Sequence, residues 1–277
     1  MPADAMIALH ARRSAASIAA YREGEARHPL AVILTGTDLY KDLPASQEAS
    51  ASLDAADCIV VLQEAAPHLL APRWRAKSEV IFQSARMLAP QRKARGRLDC
   101  VVVGHLREEK DPRTLFRALA QVPAELPVTV RHIGAPLDHA LGESAFALQA
   151  RDSRYRYSGG LPRGLVRAAL KSAHVLIHPS VMEGGANVVV EAVTSGTPVL
   201  ASRVSGNVGM LGTGYPGYFD SGDASGLARR LVQAWEDASY LRVLERACAA
   251  RRKLFQPESE ARAVRQLLRQ MLTQGKR

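Results

Sequence analysis

The stretch Val175-Leu176-Ile177-His178-Pro179-Ser180-Val181-Met182-Glu183-Gly184-Gly185-Ala186-Asn187-Val188-Val189-Val190-Glu191-Ala192 reads as a short strand, a loop with two consecutive glycines, and the start of a helix. Val175–His178 suits a buried strand. Asn187 is placed to cap the helix that follows. That helix is expected to end at Gly196, where Thr197-Pro198 opens a further strand, Pro198–Ser202. Strand, helix and strand in this order form a βαβ unit. Such units build parallel sheets covered by helices on both faces.

Outward from this unit, the same alternation fills the chain. Toward the C-terminus, Leu227–Trp235, Tyr240–Arg252 and Glu258–Leu272 carry helical periodicity. Upstream lie strands Asp99–Val103, Val128–Ile133 and Tyr155–Tyr157, with helices over Pro112–Ala120 and Arg163–Ser172. The basic, Pro-containing stretch Ala89–Arg97 interrupts the pattern and reads as a linker. Before it come strands Met6–His10, Leu30–Thr35, Cys58–Leu62 and Glu79–Phe82, with helices over Ser14–Arg22 and Ser46–Ala55. The expectation is an α/β protein of two Rossmann-like domains with parallel sheets, residues 1–90 and 91–255, closed by a terminal helix over 256–277. One formal Gly-x-Gly-x-x-Gly, Gly212–Gly217, is a decoy. No strand runs into it, and Pro216 would break the helix that should follow.

The 277 residues fit a prior of about two domains. With 47% hydrophobic and 23% charged residues, the composition is that of a globular protein rather than a disordered one. No apolar run approaches the roughly 20 residues that span a bilayer, and the N-terminus lacks the basic start and apolar core of a signal peptide. Three scattered cysteines, at 58, 100 and 248, argue against a disulfide framework and a structural zinc site. A reduced, cytoplasmic protein without a membrane span is expected. The net charge of +10 permits nucleic acid or a phosphate-rich small substrate as partner. Aromatic residues are only 5% and do not cluster, so the stacking platforms of a single-strand binder are missing. No nucleic-acid partner is expected.

Ligands of such folds sit at the carboxyl ends of strands, which directs the search to the loops after them. Gly184 and Gly185 at a helix start leave backbone N–H groups open to an anion, and the helix dipole favours negative charge there. Glu183 in the loop and Glu191 on the helix suit hydroxyl groups, since a carboxylate accepts from both hydroxyls of a cis-diol. N–H groups for phosphate beside carboxylates for sugars make a sugar-nucleotide site.

Glu183 and Glu191 form a Glu-x7-Glu pair, and Glu191-Ala192-Val193-Thr194-Ser195-Gly196-Thr197-Pro198-Val199-Leu200-Ala201-Ser202 continues it. Together these resemble the GT-B glycosyltransferases of the group-4 type. That resemblance implies a GT-B architecture and a donor site on the C-terminal domain. Val103-Gly104-His105-Leu106-Arg107-Glu108-Glu109-Lys110-Asp111-Pro112 agrees with it. Family members carry Gly-Arg and then a Lys five residues after the Arg, both on the donor diphosphate. Lys110 fits that Lys, His105 replaces the Arg, and Arg107 stands nearby as a compensating cation. The resemblance also implies uracil against backbone near Gly134 and Gly159, and donor contacts at Ala186. GT-B chains usually open with a strand and a Gly-containing loop. This one is expected to open one βαβ unit later, which leaves the N-terminal domain incomplete.

A narrower resemblance covers nearly the whole chain. Thr35-Gly36-Thr37-Asp38-Leu39-Tyr40, Gly104–Pro112, Met182–Gly185 and Ser205-Gly206-Asn207-Val208-Gly209-Met210-Leu211-Gly212 are similar to the selenosugar synthases of selenoneine biosynthesis. These join a sugar from a UDP-sugar, typically UDP-N-acetylglucosamine, to selenium from selenophosphate. The implied catalytic set is Lys110, Glu183 and His105. In this scheme Lys110, His105 or Arg107, and the Gly184 and Gly185 N–H groups, stabilise the departing diphosphate.

An acceptor that is a small anion would suit His10, Arg12 and Arg13, where a strand ends and a helix capped by Ser14 begins. The same residues also read as two solvated arginines and a buried histidine. Gly36, Thr37 and Asp38 follow the next strand. Asp38 there is an orienting group, a base, or simply an Asx-turn residue. Without an Asp-x-Asp or a His/Cys/carboxylate cluster of ligand spacing, neither metal nor other cofactor is expected. Two other classes stand beside this one. One is a conventional glycosyltransferase with a carbohydrate, lipid or small-thiol acceptor. The other is a basic nucleic-acid-binding protein.

Overall fold

The computed structural model describes residues 4–24, 28–89 and 91–274. Met1–Ala3 and Pro90, on which the leader and domain-boundary expectations partly fall, lie outside them. The chain divides into two compact units. One takes in Met1–Ser84, Glu183–Gly185 and Pro257–Arg277, and the other Ala85–Met182 and Ala186–Gln256.

In the first unit the elements run β1 (Met6–Leu9), α1 (Ala15–Gly24), β2 (Leu30–Ile33), a wide π-helical turn (Asp38–Asp42), α2 (Gln47–Ala55), β3 (Cys58–Val61), α3 (Pro72–Arg75) and β4 (Ser78–Val80). The four strands pair in parallel in the order β1-β2-β3-β4. Side chains alternate across the sheet, as the pleat requires. Leu30, Val32, Ile59 and Val61 join Ile18, Leu53 and Trp74 on one face. Ala31 and Val60 meet Leu267 and Met271 on the other, from the last helix of the chain, Pro257–Gln274. The expected strand to His10 stops at Leu9, because His10 takes a φ of +74°, in the left-handed region that no strand tolerates.

The second unit holds β5 (Leu98–Val103), α4 (Pro112–Leu119), β6 (Val128–Ile133), α5 (His139–Arg151), β7 (Tyr155–Tyr157), α6 (Arg163–Ser172), β8 (Val175–His178), α7 (Asn187–Thr194), β9 (Val199–Ser202), α8 (Ser205–Leu211), β10 (Tyr218–Phe219), α9 (Ala224–Glu236) and α10 (Ala238–Arg251), and the Pro257–Gln274 helix of the first unit is α11. Its six parallel strands follow the order β10-β9-β8-β5-β6-β7. The chain therefore builds outward from β5 in one direction, then returns to β5's other side with β8. This reversal between β5 and β8 is a topological switch point, the place where open α/β sheets ordinarily take their ligands.

Four valines make α7 a poor helix by propensity. Residues 188–194 of α7 are all buried, so packing forms it. The basic stretch expected as a linker is irregular but tied to the second unit. Lys93 Nζ donates to Lys171 O at 2.6 Å and to Thr197 Oγ1 at 3.2 Å, and burial lowers its ammonium to about 8. The decoy glycines lead into β10 rather than out of a strand. A side chain at Gly217 would stand 2.5 Å from Val199 O. All three cysteines are free, and burial pushes the Cys58 and Cys248 thiols up to about 11. No helix among the described residues is long and apolar enough to cross a membrane.

Candidate active site

In the second unit the loops after β5, β6 and β7, together with α7, carry most of the expected donor residues. After β5 the chain turns through Gly104 into a short 3-10 turn, Glu108–Lys110. Lys110 is half-buried and its stem lies over Gly104, where an added Cβ would sit 3.5 Å from Lys110 Cγ and Cδ. Asp111, at φ +42°, ends the turn and caps α4, its Oδ1 accepting from Thr114 N at 3.1 Å. Val181 N donates to Glu109 O at 3.0 Å and ties the loop after β8 to the loop after β5. Arg107 is exposed, with Nε 3.9 Å from the Glu109 carboxylate.

His105 is exposed, and its Nδ1 accepts from Ala135 N at 3.0 Å. The loop after β6 therefore lies against the loop after β5. Their contact explains Gly134: an added Cβ there would stand 1.9 Å from Gly104 O. Gly134 N donates to Gly159 O at 2.8 Å, and Gly159 takes a φ of +62° that suits glycine. Beneath these loops His132 Nε2 lies 3.2 Å from Gly104 O and Nδ1 lies 2.8 Å from Tyr155 Oη. Burial lowers His132 to about 4, so the ring that supports the loop is neutral. Neither His132 nor its tyrosine was legible as part of the site.

Glu191 sits on α7 and is 8% exposed. Its Oε1 accepts from Arg163 Nε at 3.1 Å, a partner 28 residues upstream that motif reading did not find. Asn187 is not the cap. Ala186 holds that place with no side-chain bond, and Asn187 is the first, exposed residue of α7. The helix begins one residue earlier than a side-chain cap at 187 would allow. Below the loop, Ser202 Oγ donates to Ser180 O at 2.5 Å and Asn207 Nδ2 to Ser202 O at 3.0 Å, which fixes the ends of β8 and β9.

The first unit holds Glu183, Gly184 and Gly185, with Glu183 buried at 8% exposure. A Cβ on Gly184 would stand 2.2 Å from Gly36 N and Cα, so backbone passes directly over backbone. Both glycines thus have a steric reason beside any role toward an anion. Thr37 is half-buried at the entry to the π-helical turn.

The expected acceptor residues gather where β1 and β2 end. Asp38 is fully buried. Its Oδ1 accepts from Ala11 N at 2.9 Å, and its Oδ2 from Thr35 N at 2.7 Å and Thr35 Oγ1 at 2.9 Å. His10 Nδ1 stands 2.8 Å from Asp38 Oδ1. On the ring's far side, Nε2 is 3.6 Å from Asp42 Oδ2, and Arg12 Nε is 3.2 Å from Asp42 Oδ1. Arg13 is exposed. The π-helical turn, closed by Leu43 N to Asp38 O at 2.9 Å, puts carboxylates four residues apart on either side of one imidazole. His10, Asp38 and Asp42 also form a trio whose ligand-capable atoms lie within 4.8 Å of one another. Asp38's oxygens already serve N–H and O–H donors. The trio escapes sequence spacing because His10 lies far from the Asp-x3-Asp pair, and Asp42 was not singled out at all.

A family model described as glycosyl transferases group 1 matches residues 85–251. Among curated proteins, a 2-deoxystreptamine glucosyltransferase from Streptomyces kanamyceticus is 31% identical over 137 residues, which is 49% of this chain and 35% of that one. The chain spans about a third of the curated relative that it matches. Among solved structures, HepE of Anabaena in complex with UDP and glucose is 18% identical with a TM-score of 0.78, covering 96% of this chain and 78% of HepE. An α,α-trehalose 6-phosphate synthase from Burkholderia multivorans is 15% identical with a TM-score of 0.80, covering all of this chain and 72% of the synthase. At such identities the structural likeness is one of fold, the GT-B fold of two parallel-sheet domains.

Proposed function

The chain belongs to the group 1 glycosyl transferases, and on that premise we propose that it transfers N-acetylglucosamine from its UDP ester to the selenium of selenophosphate. In this reaction the anomeric C–O bond to UDP breaks as a C–Se bond forms. The observation that carries the donor side is the convergence at one switch point of Lys110 after β5 with the post-β8 loop that leads to Glu191. Lys110 meets the charge of the departing diphosphate, with His105 and Arg107 beside it. The N–H groups of Gly184, Gly185 and Ala186 serve the phosphates, and Glu183 and Glu191 hold hydroxyls. Backbone near Gly134 and Gly159 borders the uracil.

On the acceptor side, Arg12 and Arg13 supply guanidinium donors suited to a tetrahedral anion, at the strand ends that also bear His10, Gly36 and Thr37. Selenium in selenophosphate is a strong nucleophile, so no dedicated base is assigned. The scheme assigns no metal or other cofactor; Lys110, His105 or Arg107, and the backbone N–H groups are given the task of meeting the diphosphate charge. The enzyme works in the cytoplasm, where selenophosphate and UDP-sugars are both at hand. Support for the selenium acceptor comes from the resemblance of four separate segments to selenosugar synthases.

A second acceptor class has an observation of its own: the relative from Streptomyces kanamyceticus is a 2-deoxystreptamine glucosyltransferase. UDP release from UDP-N-acetylglucosamine, followed with and without selenophosphate, separates the two. A rate that rises at least tenfold on adding selenophosphate is expected. A rate indifferent to selenophosphate but raised by an aminocyclitol would transfer the assignment to the conventional class.

A further inference from the structure

Four ionisable residues of the first unit form a row that runs from the interior to the surface. At its inner end Asp38 is held from three sides by Ala11 N, Thr35 N and Thr35 Oγ1. His10 follows, 94% buried, with Nδ1 2.8 Å from Asp38. Next is Asp42, also 94% buried, facing His10 Nε2 at 3.6 Å. Among the described residues, neither His10 Nε2 nor Asp42 Oδ2 has a hydrogen-bond partner. The outer member is Arg12, whose side chain is 52% exposed and whose Nε lies 3.2 Å from Asp42 Oδ1.

A buried carboxylate must be paired, so Asp42 holds the Arg12 guanidinium by need rather than by chance. An exposed arginine ordinarily wanders among rotamers, and fixing it costs a ligand part of its affinity. Here the fixing is done in advance. The approach to Asp42 is through Nε at 3.2 Å, and among the described residues Nη1 and Nη2 make no hydrogen bond. Those two groups are the fork that binds a phosphate-type oxyanion.

We propose that Asp42 is a positioning residue which, backed by His10 and Asp38, aims Arg12 at a small tetrahedral oxyanion. This rests on the acceptor side of the function proposed above and assigns its residues different tasks. Arg12 touches the anion. His10 and Asp38 do not; Asp38 stands beside the His10 ring, which packs behind Asp42 at 3.6 Å without a hydrogen bond to it. The φ of +74° at His10 is part of the device, since it turns the imidazole into the gap between the two carboxylates.

The test is a double-mutant cycle on the full chain, read by equilibrium binding of inorganic phosphate, with UDP binding as the folding control. Arg12→Ala is expected to weaken phosphate binding by about thirtyfold and Asp42→Ala by about tenfold. The double variant should be no weaker than Arg12→Ala alone, because Asp42 acts only through Arg12. A merely structural Asp42 would instead lower UDP and phosphate affinity together, or multiply with Arg12→Ala, and either result overturns the inference. Should Asp42→Ala fail to fold, Asp42→Asn keeps the side chain's shape and enters the same cycle with the same criterion. If the unaltered chain binds no phosphate, or Arg12→Ala leaves binding unchanged, the acceptor assignment itself falls and takes this inference with it. Additive losses with phosphate binding intact in the unaltered chain would remove the positioning role alone.

Discussion

The two sheets carry their polar groups in different ways. In the second unit, strand order reverses between β5 and β8, and the expected site residues sit on loops and a helix start beside that reversal. Much of what matters there is backbone: Gly134 against Gly104, Gly159 at positive φ, and the segment that opens α7. In the first unit the strands run β1-β2-β3-β4 without reversal, and the chemistry is a buried side-chain network joining the ends of β1 and β2. One sheet gathers its expected site residues where its strand order reverses. The other offers a few side chains held by charge.

That contrast sets which substitutions should matter most. If the switch-point loops are the donor site, Lys110→Ala should lower the rate of UDP release by about 10²–10³-fold, the range for losing one group that stabilises developing charge. A loss below tenfold would move the donor phosphates away from the loop after β5.

The support beneath that loop gives the next effect. His132 is held at about 4 in the folded chain, below its ordinary 6.5, because burial disfavours its charged form. The unfolded chain therefore binds the extra proton first as pH falls. Stability is full above about pH 6.5 and declines as pH drops toward 4, by on the order of 3 kcal/mol. Urea unfolding measured across that window should show the decline, and His132→Gln should flatten it. An equal slope in the variant would place the acid sensitivity elsewhere.

The smallest effect belongs to Arg163. Its side chain is 74% exposed, so its pair with Glu191 is well solvated. Arg163→Ala should change UDP-sugar affinity by no more than about threefold. A loss near that of a Glu191 variant would make Arg163 a ligand contact in its own right and sharpen the picture of the donor unit.

The contrast also explains what the sequence reveals. Alternating strands and helices, the Glu-x7-Glu pair and the glycines are local signals, written within a few dozen residues, and the βα order follows from them. The ends of elements are less legible, because single residues decide them: His10 leaves β1 through its φ, and Ala186 rather than Asn187 precedes α7. The two-residue strand β10 is too short to show any period. Asp42 and Arg163 are invisible for another reason. Their partners, His10 and Arg12 in one case and Glu191 in the other, are between 28 and 32 residues away, and only the folded sheet brings them together. His132 reads as one more strand residue until its ring is seen beneath Gly104.

The central claim is that the second unit holds a UDP-sugar through Glu191 and the switch-point loops. Calorimetric titration of UDP-N-acetylglucosamine into the chain, beside Glu191→Ala, tests it most directly. Saturable binding to the unaltered chain, weakened at least tenfold in a variant that unfolds at the same urea concentration, is the predicted result. Equal binding by both chains, or none by the unaltered one, would contradict it.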